Sequence, residues 1–239
     1  MKKSKFIVLG AIVAAMLAFT ACGGNDDATD PTTAPAPVTE ASDVHPEGGQ
    51  GQVTGQTQGQ PEVPPVRGVW NDNEWRSDYL GITFTLLPGW SASSDADIAE
   101  ALGLGLDVME AFGVTVPEGI SSIGDMMAVD PIAGASVLIA FERLDEEWVG
   151  ITAAEYAEFL ALGVTMIGAT TESGLPFVRI GNYEWYQLSV TQDFGEGVVV
   201  HSRYFFNLAG NFARVVTVSY LDGYPHVEAV LSSLGVSDI

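Results

Sequence analysis

The fold is decided by three segments near the C-terminus: YEWYQLSVT (183–191), VVVHSRYFFNL (198–208) and FARVVTVSY (212–220). Each segment is rich in β-branched and aromatic residues, and only short turns containing Gly with Asn or Asp separate them. Runs of this composition joined by tight turns predict an antiparallel meander of three long strands. A short strand at 177–180 should precede the meander.

Helix and strand patterns outward from the meander complete one domain. Thr152 and Glu155 form a capping box, in which each side chain bonds the other residue's backbone amide, and it predicts a helix ending near Met166. A last helix beginning near Pro225 should cover one face of the meander. Because the helices do not alternate with strands in βαβ order, the predicted fold class is α+β. Further elements are expected as strands at 69–70, 81–87, 126–129 and 136–141, helices at 94–103 (ended by Gly103) and 107–112, and a loop at 113–124.

The domain has a sharp N-terminal boundary. Residues 23–66 contain no Phe, Trp or Tyr and hold seven of the 12 prolines, whereas every Trp and Tyr of the chain follows them. Such a segment cannot bury enough apolar surface to offset the entropy of ordering it. We therefore expect a disordered linker at 22–66 and one globular α+β domain at 67–239.

The N-terminus has the organisation of an export signal. Three lysines precede an apolar run at 6–19, which is too short to span a bilayer comfortably and ends in small residues. The segment resembles the lipobox of bacterial lipoproteins, which implies cleavage between Ala21 and Cys22 and lipid attachment to Cys22. Residues 1–21 are then a signal peptide, and the mature protein is held on the extracytoplasmic face of the cell membrane. The alternative is an uncleaved membrane helix with an incidental cysteine.

Composition excludes several functions. All three lysines leave with the signal, so the mature chain keeps six arginines against 31 acidic residues, a net side-chain charge of −25. Such a surface repels phosphate backbones, which argues against nucleic-acid binding. Without lysine there is no Schiff-base lysine and no P-loop, and with its one cysteine lipidated the chain has no thiol nucleophile.

A family resemblance rests on YLGITFTLLPGW (79–90) and the acidic helix start that follows at 94–98. This opening is similar to that of small lipoproteins from Clostridia-type bacteria, which in turn resemble the PsbP-like αβα sandwich. The resemblance covers most of residues 67–239 in element order and is specific around 84–90. It implies a central antiparallel sheet with helices on both sides, and a role in binding or assembly without enzymatic activity. It carries no catalytic residue across.

The candidate binding surface consists of aromatic residues that lie beside turns or polar residues. Exposed aromatic rings bind sugars and partner side chains, although a single such residue is more often a packing residue. The candidates are Trp70, Trp75, Tyr79 and Trp148.

Histidines and acidic residues give weaker signals. His201 and His226 belong to unrelated elements without metal-ligand spacing, and a strand histidine is ordinarily half-buried and hydrogen-bonded. Acidic clusters at 71–74, 95–100 and 145–147 offer oxygen ligands for calcium or paired carboxylates, but none has EF-hand order, and helix-cap and loop roles explain them better. No catalytic residue, metal site or cofactor is predicted.

The leading hypothesis is a non-catalytic, lipid-anchored protein that binds an envelope protein or a small ligand. The alternative is a carboxylate-dependent envelope hydrolase, with or without calcium. A solute-binding protein of a transporter is disfavoured, because such proteins usually need two βαβ-rich lobes and this chain has room for one domain. Two carboxylates converging in a deep pocket would favour the enzyme.

Overall fold

The computed structural model describes residues 65–111, 122–144, 148, 150–172 and 174–238. The predicted signal peptide, Cys22, almost all of the linker and the acidic run 145–147 lie outside the described residues. Within them, the elements in chain order are β1 (Val69–Asn71), β2 (Glu74–Ser77), β3 (Ile82–Thr85), β4 (Ser91–Ala92), α1 (Asp95–Ala111), β5 (Ser122–Asp130), β6 (Ala135–Arg143), α2 (Ala153–Met166), β7 (Thr170–Thr171), β8 (Phe177–Ile180), β9 (Tyr183–Asp193), β10 (Val199–Ala209), β11 (Phe212–Leu221), α3 (Val227–Ser233) and β12 (Ser237–Asp238).

A nine-stranded sheet forms the centre of the domain. Its strands follow the order β12-β8-β9-β10-β11-β6-β5-β4, and β7 pairs with β9 beside β8. Every strand pair in the described residues is antiparallel. The predicted meander is confirmed as β9, β10 and β11, and the α+β class with a mainly antiparallel sheet is confirmed with it.

The two faces of this sheet are covered differently. Helices α1 and α2 pack on one face through Ile98, Tyr156 and Leu160, against sheet residues such as Leu138 and Phe206. The opposite face packs against α3 and a separate three-stranded sheet of order β1-β2-β3. Helices therefore lie on both faces, but much of the second face is covered by strands, since Trp75, Ile82 and Phe84 of the small sheet belong to that core.

The capping box that predicts α2 is present. Glu155 N–H donates to the Thr152 hydroxyl at 3.2 Å, and Thr152 N–H donates to the Glu155 carboxylate at 2.8 Å. These two bonds satisfy amides that have no partner within the helix. The helix then runs to Met166, as predicted.

Helix α1 corrects the prediction of two short helices. It continues without interruption from Asp95 to Ala111, through Gly103, which was expected to end it. A glycine inside a helix costs about 1 kcal/mol relative to alanine, which tertiary packing readily outweighs. Here Ile98 and Ala101 supply that packing by burying the first turns of α1 in the core.

Strand β5 corrects the end of the predicted loop, because it begins at Ser122. The ladder with β6 is irregular between Gly124 and Met126, so Asp125 is bulged out of register. A β-carbon on Gly124 would collide with Cγ2 of Ile98. Glycine at this position lets α1 approach the strand.

Candidate functional site

A polar depression of about 300 Å³ lies on the sheet face that carries α3. Its floor is made by β9, β10 and β11, and one wall is made by the segment that joins β7 to β8. Farther along the same strands this face is apolar, with Trp185, Phe205 and Val216 buried in the core. The polar residues of the depression are Glu172, Gln187, Ser189, Thr191, His201, Ser202, Arg203 and Tyr220.

His201 is the centre of a hydrogen-bond network in this depression. Its Nδ1 lies 3.1 Å from Oγ1 of Thr191, and its Nε2 lies 3.1 Å from Oδ1 of Asp222. In the neutral tautomer that satisfies both contacts, Nε2–H donates to the carboxylate and Nδ1 accepts from the hydroxyl. The imidazole also stacks on Tyr220, with ring centroids 5.5 Å apart. The ring is therefore fixed by three neighbours.

Charged and neutral polar groups both surround the depression. Nη2 of Arg203 lies 3.8 Å from Oε1 of Glu228 on α3, and Gln187 Nε2 donates to the Ser189 hydroxyl at 3.3 Å. With His201 counted as neutral, Glu172, Asp222 and Glu228 against Arg203 leave a net side-chain charge of −2, which disfavours an anionic ligand. Amide, hydroxyl, imidazole and phenol groups supply uncharged donors and acceptors. Such a lining suits an uncharged polar ligand, and the volume lies at the small end of the range for ligand sites.

The arrangement of Thr191, His201 and Asp222 has the order hydroxyl, imidazole, carboxylate, which is typical of an activated nucleophile. Both strands that carry the hydroxyl and the imidazole are paired on both sides at these positions, so their backbone amides belong to the sheet ladder. They are not free to stabilise an oxyanion. Asp222 is also 72% exposed, so water competes for its carboxylate.

A second cluster joins the start of the domain to β5. The Asp125 side chain is fully buried, and its Oδ1 accepts a 2.7 Å hydrogen bond from Gly68 N–H. Burial raises the pKa of Asp125 from its ordinary value of 3.8 to about 6, opposed by the Gly68 bond and the charge of Arg67. Its Oδ2 is enclosed without a hydrogen-bond partner in the described residues. Arg67 lies 4.0 Å from Oδ1 and donates to Asp95 at 2.6 Å.

The four aromatic candidates do not form one exposed surface. Trp75 is fully buried, because the alternation of β2 points it into the core, so it does not belong to a binding surface. Trp70 and Tyr79 are half-buried against that same core, through Phe84 and Phe141 respectively. Trp148 packs edge-on against Phe159, with centroids 4.4 Å apart, on the opposite face.

The described acidic clusters have local structural roles. Asp97 bonds the amide and hydroxyl of Ser94 at the start of α1, and Asp95 pairs with Arg67. Residues 72 and 73 form the two-residue turn between β1 and β2, and the flanking Asn71 and Glu74 pair with each other in the ladder. Across the described residues, no group of three or more His, Cys, Asp and Glu side chains has the geometry to hold a metal ion.

His201 is half-buried and hydrogen-bonded, as predicted for a strand histidine. Its grouping with Thr191 and Asp222 was missed, because these residues meet only through strand register: Thr191 lies opposite His201, and His201 lies opposite Tyr220, two residues before Asp222. The only signal in the sequence was the proximity of all three to strand ends.

The fold and the depression define an α+β domain with a ligand-sized polar hollow on its sheet. No protein-family model matches the chain, and no curated protein matches it. Among solved structures, it is similar to a protein of Bacteroides thetaiotaomicron, with 12% identity, a TM-score of 0.35, and coverage of 66% of this chain and 45% of that one. It is also similar to LpqN, a Mycobacterium tuberculosis protein described as involved in cell envelope biogenesis, with 12% identity, a TM-score of 0.38, and coverage of 66% and 79%. The chain thus spans less than half of the Bacteroides protein, and these similarities identify no family for it.

Among the helices of the described residues, none combines the length and the hydropathy needed to cross a bilayer.

Proposed function

We propose that this protein is a lipid-anchored, extracytoplasmic binding protein that holds a small, uncharged polar ligand without transforming it. The anchor is the lipid on Cys22, and the linker at 22–66 separates the domain from the membrane. The observation that carries the proposal is the depression on β9, β10 and β11, whose hydrogen-bonding groups are held in place by the contacts of His201. Preorganised polar groups in a ligand-sized concavity favour specific binding.

A titration of the isotope-labelled chain with neutral mono- and disaccharides and with capped dipeptides tests ligand binding. We expect one of these classes to shift backbone amide resonances around Ser189, Thr191 and His201. His201→Gln should weaken that binding at least about tenfold, because it removes a fixed ring with two hydrogen bonds. The matched control is His226→Gln, since His226 lies outside the depression and makes no side-chain cap bond.

The anchor needs its own test. Cys22→Ser should release the protein from the membrane fraction or leave it unprocessed, because the chain has no second cysteine to take the lipid. Recovery of the serine variant in membranes at mature mass would refute the anchor assignment and leave the binding site untouched.

The hydrogen-bonded series of Thr191, His201 and Asp222 favours a second candidate. This candidate is a hydrolase that uses Thr191 as nucleophile and His201 as base. Thr191→Ser should retain or raise such an activity, and Thr191→Val should abolish it. Turnover of an ester or peptide that follows this pattern would replace the binding proposal, whereas equal background rates in both variants would remove the hydrolase candidate.

A further inference from the structure

Arg214 is a buried cation with no carboxylate within 4 Å in the part of the chain that the structure describes. Its residue surface is 8% exposed, and its Nε is enclosed without a hydrogen-bond partner in the described residues. The guanidinium carbon lies 4.8 Å from the ring centroid of Tyr79 and 4.6 Å from that of Tyr183, so two aromatic rings pack against the guanidinium. Cation–π contacts offset part of the cost of burying a charge, which is large when no anion is near.

The turns next to the two tyrosines are in close contact with each other. A β-carbon on Gly181 would collide with the carbonyl oxygen of Gly81, and both glycines have positive φ angles, of 59° and 65°. Tyr79 also packs edge-on against Phe141 at 5.5 Å. The contacts of the fold itself therefore hold the two tyrosines beside Arg214, without the help of a ligand.

Charge pairing separates this arginine from most of the others. Four arginines of the described residues lie within 4 Å of an acidic side chain: Arg67, Arg76, Arg179 and Arg203. Arg214 and the exposed Arg143 have no such partner there. They lie diagonally across the β6–β11 ladder, since Arg143 faces Phe212 and Phe141 faces Arg214, so both are on one sheet face within reach of a common ligand. Two arginines without a carboxylate partner among the described residues thus lie on the same sheet face, in a chain with 31 acidic residues.

We propose that Arg214, flanked by Tyr79 and Tyr183 and supported by Arg143, binds a carboxylate. The two rings occupy part of the space around the guanidinium and its Nε is enclosed, so a ligand reaches it through the edge that carries the terminal nitrogens, which make no hydrogen bond within the described residues. An edge-on guanidinium matches the two oxygens of a carboxylate in one plane. The strongly negative net charge favours a singly charged anion over a phosphate dianion.

This site is separate from the polar depression. Arg214 and Tyr220 are six residues apart on β11, or about 20 Å along the strand. Binding at one site is therefore measured independently of the other, and failure of the carboxylate proposal leaves the proposed function standing.

The test uses the chain from residue 22 onward with the substitution Cys22→Ser. Ligand binding is monitored through the NMR resonances of the arginine Nε–H groups. Six arginines and no lysine remain in this chain. The ligands are N-acetylglycine, its neutral amide and inorganic phosphate at constant ionic strength. We expect N-acetylglycine to shift the Arg214 resonance saturably, and the amide to leave it unchanged.

Substitutions assign the effect. Arg214→Met keeps an apolar stem between the rings and should abolish the response. Arg143→Gln leaves Arg214 and its two tyrosines unchanged and should weaken binding roughly threefold, as expected for a screened charge about 7 Å away. Arg76→Gln, at an exposed and paired arginine, is the matched control and should change nothing.

Three results would overturn the proposal: no saturable shift with N-acetylglycine, an equal shift with the neutral amide, or tighter binding of phosphate. If Arg214→Met does not fold, the effect of Arg143→Gln on N-acetylglycine binding still tests the proposal.

Discussion

Replacement of Asp125 by asparagine should remove a pH dependence of stability that this one buried carboxylate creates. Asparagine keeps an oxygen that accepts the Gly68 N–H bond, and it carries no charge to be desolvated. The wild-type carboxyl has its pKa raised from 3.8 to about 6, mainly by burial. Folding therefore favours the protonated form of Asp125.

The sign and size follow from linkage. Between about pH 4 and pH 6 the folded protein holds a proton on Asp125 that the unfolded chain has lost, so the free energy of unfolding falls as the pH rises. A shift of about two pKa units corresponds to about 3 kcal/mol, and this contribution is fully lost above about pH 7. Asp125→Asn should thus match the wild type near pH 4 and exceed its stability by up to about 3 kcal/mol at pH 8.

Urea unfolding followed by tryptophan fluorescence at pH 4, 5, 6, 7 and 8 measures this difference, and all other titrating groups cancel between the two proteins. The matched control is Asp95→Asn, because Asp95 contacts the same Arg67 but is exposed, and its pKa is lowered by that arginine. Its contribution has the opposite sign, so this variant should gain nothing at high pH. Parallel curves for Asp125→Asn and wild type, or a variant less stable at pH 8, would refute the reasoning.

Three further predictions test other parts of the fold. Gly124→Ala should destabilise the domain by about 1–3 kcal/mol, because the new methyl group collides with Ile98. Gly103→Ala, at an open helical position, should instead stabilise the domain by up to about 1 kcal/mol, and thermal unfolding compares the two variants. Thr152→Ala should cost about 1 kcal/mol through loss of the α2 cap, and Thr165→Ala on the same helix should be nearly neutral in denaturant unfolding. Limited proteolysis should cut residues 23–66 long before the domain, which mass spectrometry of the fragments will show, and survival of that segment as long as β9 would contradict the linker assignment.

The meander and the capped helix α2 were predictable because the evidence for them is local. The alternation and tight turns of β9 to β11 repeat over ten or more residues each, and Thr152 and Glu155 are three residues apart. Helix α1 was mispredicted because local propensity at Gly103 opposed the tertiary packing of Ile98 and Ala101, which the sequence does not display. The two-residue strands β4, β7 and β12 were missed because partners distant in sequence define them.

The site residues were less predictable for the same physical reason. Thr191, His201 and Asp222 are brought together by register between strands, and register depends on pairing that residue types alone do not reveal. Trp75 was expected beside a turn and at the surface, but the residues of β2 alternate between exposed and buried, and its ring points inward. Arg214 lies in an apolar strand, where its buried guanidinium depends on two tyrosines from distant turns.

Both proposed binding sites follow from a mismatch in length between the large sheet and its cover. Strands β9, β10 and β11 have ten or eleven residues each, about 35 Å, whereas the small sheet that covers the same face has strands of three or four residues. The cover buries the part of that face where Phe205 and Val216 lie. On the same face, Arg214 lies two residues before Val216 on β11, and His201 lies four residues before Phe205 on β10. Neighbouring strands fix both polar side chains on this face: His201 is half-buried in the depression, and Arg214 is buried against the rings of Tyr79 and Tyr183. On the α1 and α2 face of β10, by contrast, Val200, Tyr204 and Phe206 are all buried in the core. Ligand recognition is therefore expected on the α3 face of the sheet.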